Sequence, residues 1–129
     1  MAGTIVADTI QNGAGTSTSM DNAIYGSAKA WVNFNGVSGV SIRTSYNVSS
    51  VTRSGAGAYT VNFTNAFVDG NYSVAACSSP ATINNGRSTA LSIYSSTSTA
   101  PSTTACSFIN NDTGNATVDS LYACISFFR

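Results

Sequence analysis

The sequence predicts an all-β protein: a single antiparallel β-sandwich of jelly-roll-like kind over residues 28–129, preceded by an extended N-terminal arm over residues 1–27. Three observations carry that expectation. Large side chains recur at every second position in short runs, as in Tyr59-Val61-Phe63 and Leu121-Ala123-Ile125-Phe127, and a period of two sends alternate residues to opposite faces of a sheet. The runs are separated by breaks rich in Gly, Asn and Pro about every 10 to 15 residues, close to the spacing of a sandwich or barrel. No stretch repeats its apolar residues at the three- and four-residue intervals of an amphipathic helix.

In the arm, Gly3-Thr4-Ile5-Val6-Ala7 reads as a short strand, and Asn12 to Ser19, all small or polar, as a flexible lead into the domain. Ile5, Val6 and Ile10 have nothing nearby to pack against. They are the candidates for attachment to a neighbouring subunit or larger assembly, against the plainer expectation of a frayed tail.

Lys29 to Phe63 then forms a meander of three strands, the first holding Trp31, the second Val40, Ile42, Tyr46 and Val48 on one parity, the third Tyr59, Val61 and Phe63. The links at 35–39 and 53–57 carry glycines, which permit the positive φ that hairpin reversals demand. Asp69-Gly70 marks the next reversal. Tyr72, Val74 and Ala76 share a face of a fourth strand, which Pro80 ends because it cannot donate to a central ladder. Thr89 to Tyr94 is a fifth strand with Leu91 and Ile93 facing one way, and Ala105 to Ile109 a sixth.

The last strand runs through Leu121 to Phe128 and is apolar on both parities. One side therefore belongs to the core, and the other, with Tyr122 and Phe128, to contact with another copy, as does Tyr94 on the fifth strand. Polar segments from Pro80 to Arg87 and from Ser95 to Thr104 are surface loops, in which Asn84, Asn85, Arg87, Ser96 and Thr97 are the candidates for facing a receptor.

Composition narrows the function. Only 8% of the 129 residues are charged, about a third of the ordinary share near 25%, and the net charge is zero. Little like-charge repulsion keeps copies apart, so self-association is expected. The five basic residues, Lys29, Arg43, Arg53, Arg87 and Arg129, are scattered, which excludes the clustered footprint of nucleic-acid binding. No apolar run is long enough to span a bilayer, so membrane insertion is not expected. The first eight residues show no basic region leading into an apolar core, so no secretory signal is expected. Five Asn-x-Ser/Thr triplets follow from the abundance of those residues and carry no expectation of glycosylation.

Catalytic groups are scarce. Histidine and glutamate are absent, and the acids are Asp8, Asp21, Asp69, Asp112 and Asp119. The commonest general base and metal ligand are thus missing, and no base stands ready to activate a serine, so an enzyme, a cofactor and a metal site are not expected. Asp112 and Asp119 flank a turn and are the nearest approach to a carboxylate pair or a calcium site, although turn aspartates more often cap their own backbone. Cys77, Cys106 and Cys124 lack C-x-x-C spacing; they read as buried free thiols, with a Cys106–Cys124 bridge between neighbouring strands as the alternative. Trp31, Tyr46 and Tyr59 offer a sugar-stacking platform, but their parity favours the core. Arg43, between Ser41 and Ser45, is either a partner for an aspartate across a subunit boundary or, as favoured, a solvated edge charge.

The blocks AKAWVNFNG, IRTSYNVSSVT and G.G.YTVNF, in that order between Ala28 and about Ala66, resemble a module that recurs in tail-fibre and other virion surface proteins of tailed bacteriophages, marine ones included. The resemblance covers roughly a third of the chain and carries no catalytic signature. It implies a non-enzymatic virion structural protein, a capsid decoration or a fibre or knob protein, assembled as a homotrimer or other ring with capsid or tail proteins as partners. It places the protein on the virion surface after assembly in a reducing bacterial cytoplasm. The alternative is a tail-fibre tip that recognises a host glycan or outer-membrane protein.

Overall fold

The computed structural model describes residues 3, 6–81, 88–93 and 100–129, with the backbone alone at 21. The chain opens with a small hairpin, β1 (Thr9–Gln11) and β2 (Ser17–Ser19), followed by one short helix, α1 (Met20–Tyr25). The strands β3 (Ala28–Asn35), β4 (Ser41–Tyr46), β5 (Val48–Gly55), β6 (Ala58–Phe63), β7 (Ser73–Pro80), β8 (Thr89–Ile93), β9 (Ala105–Asp112) and β10 (Ser120–Phe128) then build two antiparallel sheets. The first has the order β4-β3-β10-β7 and the second β5-β6-β9-β8. Hairpins β3–β4, β5–β6 and β8–β9 each stay within one sheet, and the connections between them cross over. The chain is thus the all-β antiparallel sandwich that the alternation predicts.

The inward faces meet in a single core. Ala30, Val32 and Phe34 of β3 and Ala123, Ile125 and Phe127 of β10 come from the first sheet; Val51, Tyr59, Val61, Phe63, Cys106 and Phe108 come from the second. Aromatic edges tie the layers, with Phe34 against Tyr59 at 5.0 Å and Phe63 against Phe127 at 4.9 Å between ring centroids. Phe67 and Tyr72, from the connection between β6 and β7, close one end of the sandwich against the same rings. Tyr72 is buried there because its hydroxyl donates to the carbonyls of Ser102 and Ala105, which removes the cost of an unpaired polar tip.

At the opposite end a polar knot replaces the rings. Arg53 grips Asp119 through Nε and Nη2, both at 2.9 Å, and the same carboxylate accepts from the Gly57 amide and the Tyr59 hydroxyl. Gly57 sits at φ 67°, and a Cβ there would meet the carbonyl oxygens of Asn110 and Val118 at 2.7 Å. The hairpin β5–β6 therefore requires glycine at this position.

Two expectations are corrected. The run from Val40 to Val48 is not one strand: the chain turns at Asn47, φ 53°, so that β4 lies in the first sheet and β5 in the second. Asparagine tolerates this left-handed geometry better than most residues, and Asn47 also fastens the corner with its side chain. In the arm, the expected strand over residues 3–7 lies partly outside the described residues, with Val6 and Ala7 in no strand; the first described strand is Thr9–Gln11, and the expected flexible lead is a hairpin and a helix. The Ser19 side chain caps α1 by accepting from the Asn22 amide, and Gly26 ends it. Six residues are too few for helical periodicity to show, so Ser19 and Gly26 were the only signals in the sequence.

Candidate functional site

The two outward faces of the sandwich differ in chemistry. On the second sheet, small hydroxyl and amide side chains satisfy one another: Thr60 meets Ser107 at 2.9 Å, and Asn62 Nδ2 donates to Ser50 at 3.0 Å and to Thr52 at 3.3 Å. A face of this kind is content in water.

The first sheet turns aromatic rings outward. Because Ala30, Val32 and Phe34 face the core, alternation sends Trp31 and Asn33 to the outer side. Trp31 stands directly opposite Tyr46 on β4, with Ser126 on its other flank. The next row is Thr44, Asn33, Cys124 and Cys77, taken in order across β4, β3, β10 and β7. Tyr122, beyond Cys124 on β10, is 51% exposed, and Tyr46 is 59% exposed. Phe128 follows the buried Phe127 and is half-buried on this outer side.

Arg43 lies across the face, exposed to solvent on one side and stacked on a ring on the other. Its guanidinium carbon stands 4.1 Å from the centroid of the Tyr122 ring, Nη2 donates to the Leu121 carbonyl at 2.9 Å, and Nη1 donates to Asn33 Oδ1 at 3.3 Å. A register shift opposite Asn33 and Phe34 allows Arg43 to reach over the sheet. Arg43 is exposed on an edge strand, as the favoured expectation of a solvated edge charge has it, but it also covers the Tyr122 ring. The cation and the ring hold each other in place, which stiffens the centre of the face.

The core expectation for Trp31 and Tyr46 is also corrected, while Tyr59 is buried as expected. The strand Ala28–Asn35 carries apolar residues on both parities. Lys29, Asn33 and Asn35 share the parity of Trp31, and that polar company was the signal that the ring faces out. Of the interface candidates, Tyr122 and Phe128 lie on this face. Val6 and Ile10, 93% and 47% exposed, lie on the arm and pack into no core. Ile5, Tyr94 and the loop candidates Asn84, Asn85, Arg87, Ser96 and Thr97 lie outside the described residues.

The groups weighed for chemistry are dispersed. Asp112 turns back on its own loop, accepting from the amides of Gly114 and Ala116, whereas Asp119 belongs to the knot with Arg53. Burial pushes the Asp119 carboxyl up, but Arg53, the Gly57 amide and the Tyr59 hydroxyl together outweigh it and hold it below the ordinary carboxylate range. Burial raises the Tyr59 hydroxyl to about 12. Among the described residues, no three His, Cys, Asp or Glu side chains gather as a metal site, and no helix is long and apolar enough to cross a membrane.

Only one cysteine is a buried thiol of the expected kind. Cys106 is sealed in the core and pushed up by burial, while Cys124 is half-buried and Cys77 exposed. The Cys106–Cys124 bridge is corrected, since β9 and β10 belong to different sheets and the two side chains point to opposite sides of the first sheet.

A cleft of about 440 Å³ opens where α1 approaches the closed end of the sandwich, lined by Tyr25, Lys29, Asn47, Phe67, Val68 and Arg129. Its two cations are engaged by the protein itself: Lys29 Nζ donates to the Ile24 carbonyl, and Arg129 is paired with Asp69. The cleft is therefore a weaker candidate than the aromatic face. No protein-family model matches the chain, and neither does a curated protein or a solved structure.

Proposed function

We propose that this chain is a non-enzymatic structural protein of a bacteriophage virion, displayed on the particle surface as a capsid decoration or a fibre or knob protein, and assembled as a homo-oligomer through the outer face of its first sheet. The observation that carries the reading is the contrast between the two outward faces. One presents Trp31, Tyr46, Tyr122 and Phe128 with a single stacked cation, and the other carries hydroxyls and amides that bond to one another, with Ile109 as an apolar member. Aromatic residues with arginine, and little other charge, are the composition of a contact surface. The tail-fibre resemblance between Ala28 and Ala66 supplies the virion setting and the trimeric state. The exposed Val6, Ile10, Ile24 and Tyr25 of the arm supply a second point of attachment.

Mass measurement of the purified chain in solution, with its localisation and copy number in intact particles, tests the proposal. A homo-oligomer present in the particle is expected, hundreds of copies marking a capsid decoration and a few to tens a tail position. A chain that stays monomeric at high concentration and is missing from the particle would overturn it. A second reading, a receptor-binding tip, is favoured by one observation: Trp31 and Tyr46 side by side on a flat strand pair, beside the amide of Asn33, are suited to stacking on a sugar ring. Specific adsorption of the purified protein to host cells, abolished by Trp31→Ala, would move the weight there.

A further inference from the structure

Cys77 and Cys124 are exact cross-strand partners on β7 and β10, on the outer side of the first sheet. Directly opposed residues of an antiparallel pair place their Cβ atoms about 4.5–5.5 Å apart, and a disulfide spans about 3.5–4.5 Å between Cβ atoms. The two ranges meet, and β7 is an edge strand that pairs within its sheet on one side only, so closing the small remaining gap disturbs a single ladder. The thiols already face each other. Burial raises the Cys124 thiol, the neighbouring Cys77 sulfur raises it further, and the Arg43 guanidinium on the same face draws it partly back down. Cys106 is no competitor, because it is 1% exposed and points into the core.

We infer that Cys77 and Cys124 form a specific disulfide site, a dithiol under reducing conditions that closes to an intramolecular bridge on exposure to a small-molecule disulfide. The bridge staples the edge strand β7 to the central strand β10. It depends on the register between these strands and not on what the chain assembles with, so it stands apart from the functional reading above.

With oxidised glutathione as the oxidant, the steps balance. The thiolate of Cys77, the exposed partner, attacks one glutathione sulfur; the oxidant's S–S bond breaks, and one glutathione leaves with the electron pair and takes up a proton. Cys124 then gives its proton to water and attacks the Cys77 sulfur of the mixed disulfide, expelling the second glutathione. The protein loses two thiol hydrogens and the oxidant is reduced to two thiols. In a reducing cytoplasm the dithiol persists, and outside it the bridge forms.

The test uses the full chain, folded and reduced, incubated with oxidised glutathione and read by intact mass and by non-reducing peptide mapping. The expected product is a monomeric bridge joining the peptides of Cys77 and Cys124, with Cys106 still titrating as a thiol only after unfolding. Its melting temperature should rise by roughly 5–10 °C and return to the starting value with dithiothreitol. Cys77→Ser, at an exposed position that the core does not use, should abolish bridging, and Cys106→Ala should leave it intact. A lasting glutathione adduct on Cys77, or covalent dimers as the main product, would overturn the inference.

Discussion

Asn47 and Asn65 hold each other from both ends: the Asn65 amide donates to Asn47 Oδ1 at 2.8 Å, and Asn47 Nδ2 donates to the Asn65 carbonyl at 3.2 Å. The same Nδ2 also donates to the Lys29 carbonyl at 3.1 Å. One side chain thus fastens the corner where the chain leaves the first sheet to the strand beside it and to the connection after β6. Asn47→Ala removes these bonds and places a Cβ-bearing residue without polar compensation at φ 53°. A loss of about 2–3 kcal/mol is expected, measured by urea unfolding. Asn47→Gly relieves the backbone but not the bonds, and should lose less.

Gly57 makes a sharper prediction. Both its φ of 67° and the carbonyls 2.7 Å from a built Cβ oppose any side chain. Gly57→Ala should therefore cost about 2 kcal/mol or more and loosen the Asp119 knot, since the Gly57 amide donates to that carboxylate at 2.9 Å. Thermal unfolding reads the first effect and faster amide exchange at Gly57 the second.

The Asp119 carboxyl makes stability depend on acid. Its pKa is lower folded than unfolded, so its contribution is present above the unfolded value of 3.8 and is lost as pH falls through the depressed folded value. Asp119→Asn should flatten the stability profile below about pH 4 and lower stability at neutral pH, because Arg53 loses its charged partner. Urea midpoints measured across the acid range check both statements.

Tyr59 has the opposite sign. Its hydroxyl is raised to about 12 by burial, so its stabilising effect is complete below the unfolded value of 10.0 and is lost as pH rises through the folded one. Burial also raises the Tyr72 hydroxyl, so spectrophotometric titration should show two late-ionising tyrosines, Tyr59 and Tyr72, whose ionisation coincides with alkaline unfolding.

The contact face predicts a separation of stability from assembly. Tyr46→Ser together with Tyr122→Ser changes two exposed rings, one of them stacked under Arg43. The cost to folding should stay near 1 kcal/mol, while self-association weakens at least tenfold, as expected when aromatic anchors are removed. Sedimentation at a series of concentrations distinguishes the two effects.

Much of the architecture was legible from alternation. The runs at Tyr59-Val61-Phe63 and Ala123-Ile125-Phe127 have apolar side chains on a parity that the core needs, and both are buried as read. Pro80 ends β7 on an edge, where a missing donor is tolerated. Alternation misled in one strand whose two parities are both apolar. In Ala28–Asn35 the largest residue, Trp31, drew the eye inward, yet the smaller Ala30, Val32 and Phe34 fill the core because the opposite parity also carries Lys29, Asn33 and Asn35.

The candidate site was legible in its last strand and hidden elsewhere. Tyr122 and Phe128 could be assigned to an outer side because Ala123, Ile125 and Phe127 already claimed the inner one. Tyr46 could not, since its strand seemed to run on through Asn47. The partnership of Cys77 with Cys124 was likewise invisible, because 46 intervening residues contain two further strands that pair in the other sheet.

By itself, then, the chain's pattern of side chains determined that it folds as strands, that they stack in two layers, and that it has few groups able to perform chemistry. Those are local properties, set by period, turn residues and composition. Only the tertiary structure decided which sheet each strand joins, and hence that aromatic rings, one stacked arginine and a facing pair of thiols share one outward surface. The reason is physical: a strand's own sequence fixes its two faces, but the partner across the ladder, often far away in the chain, decides what stands beside each of them.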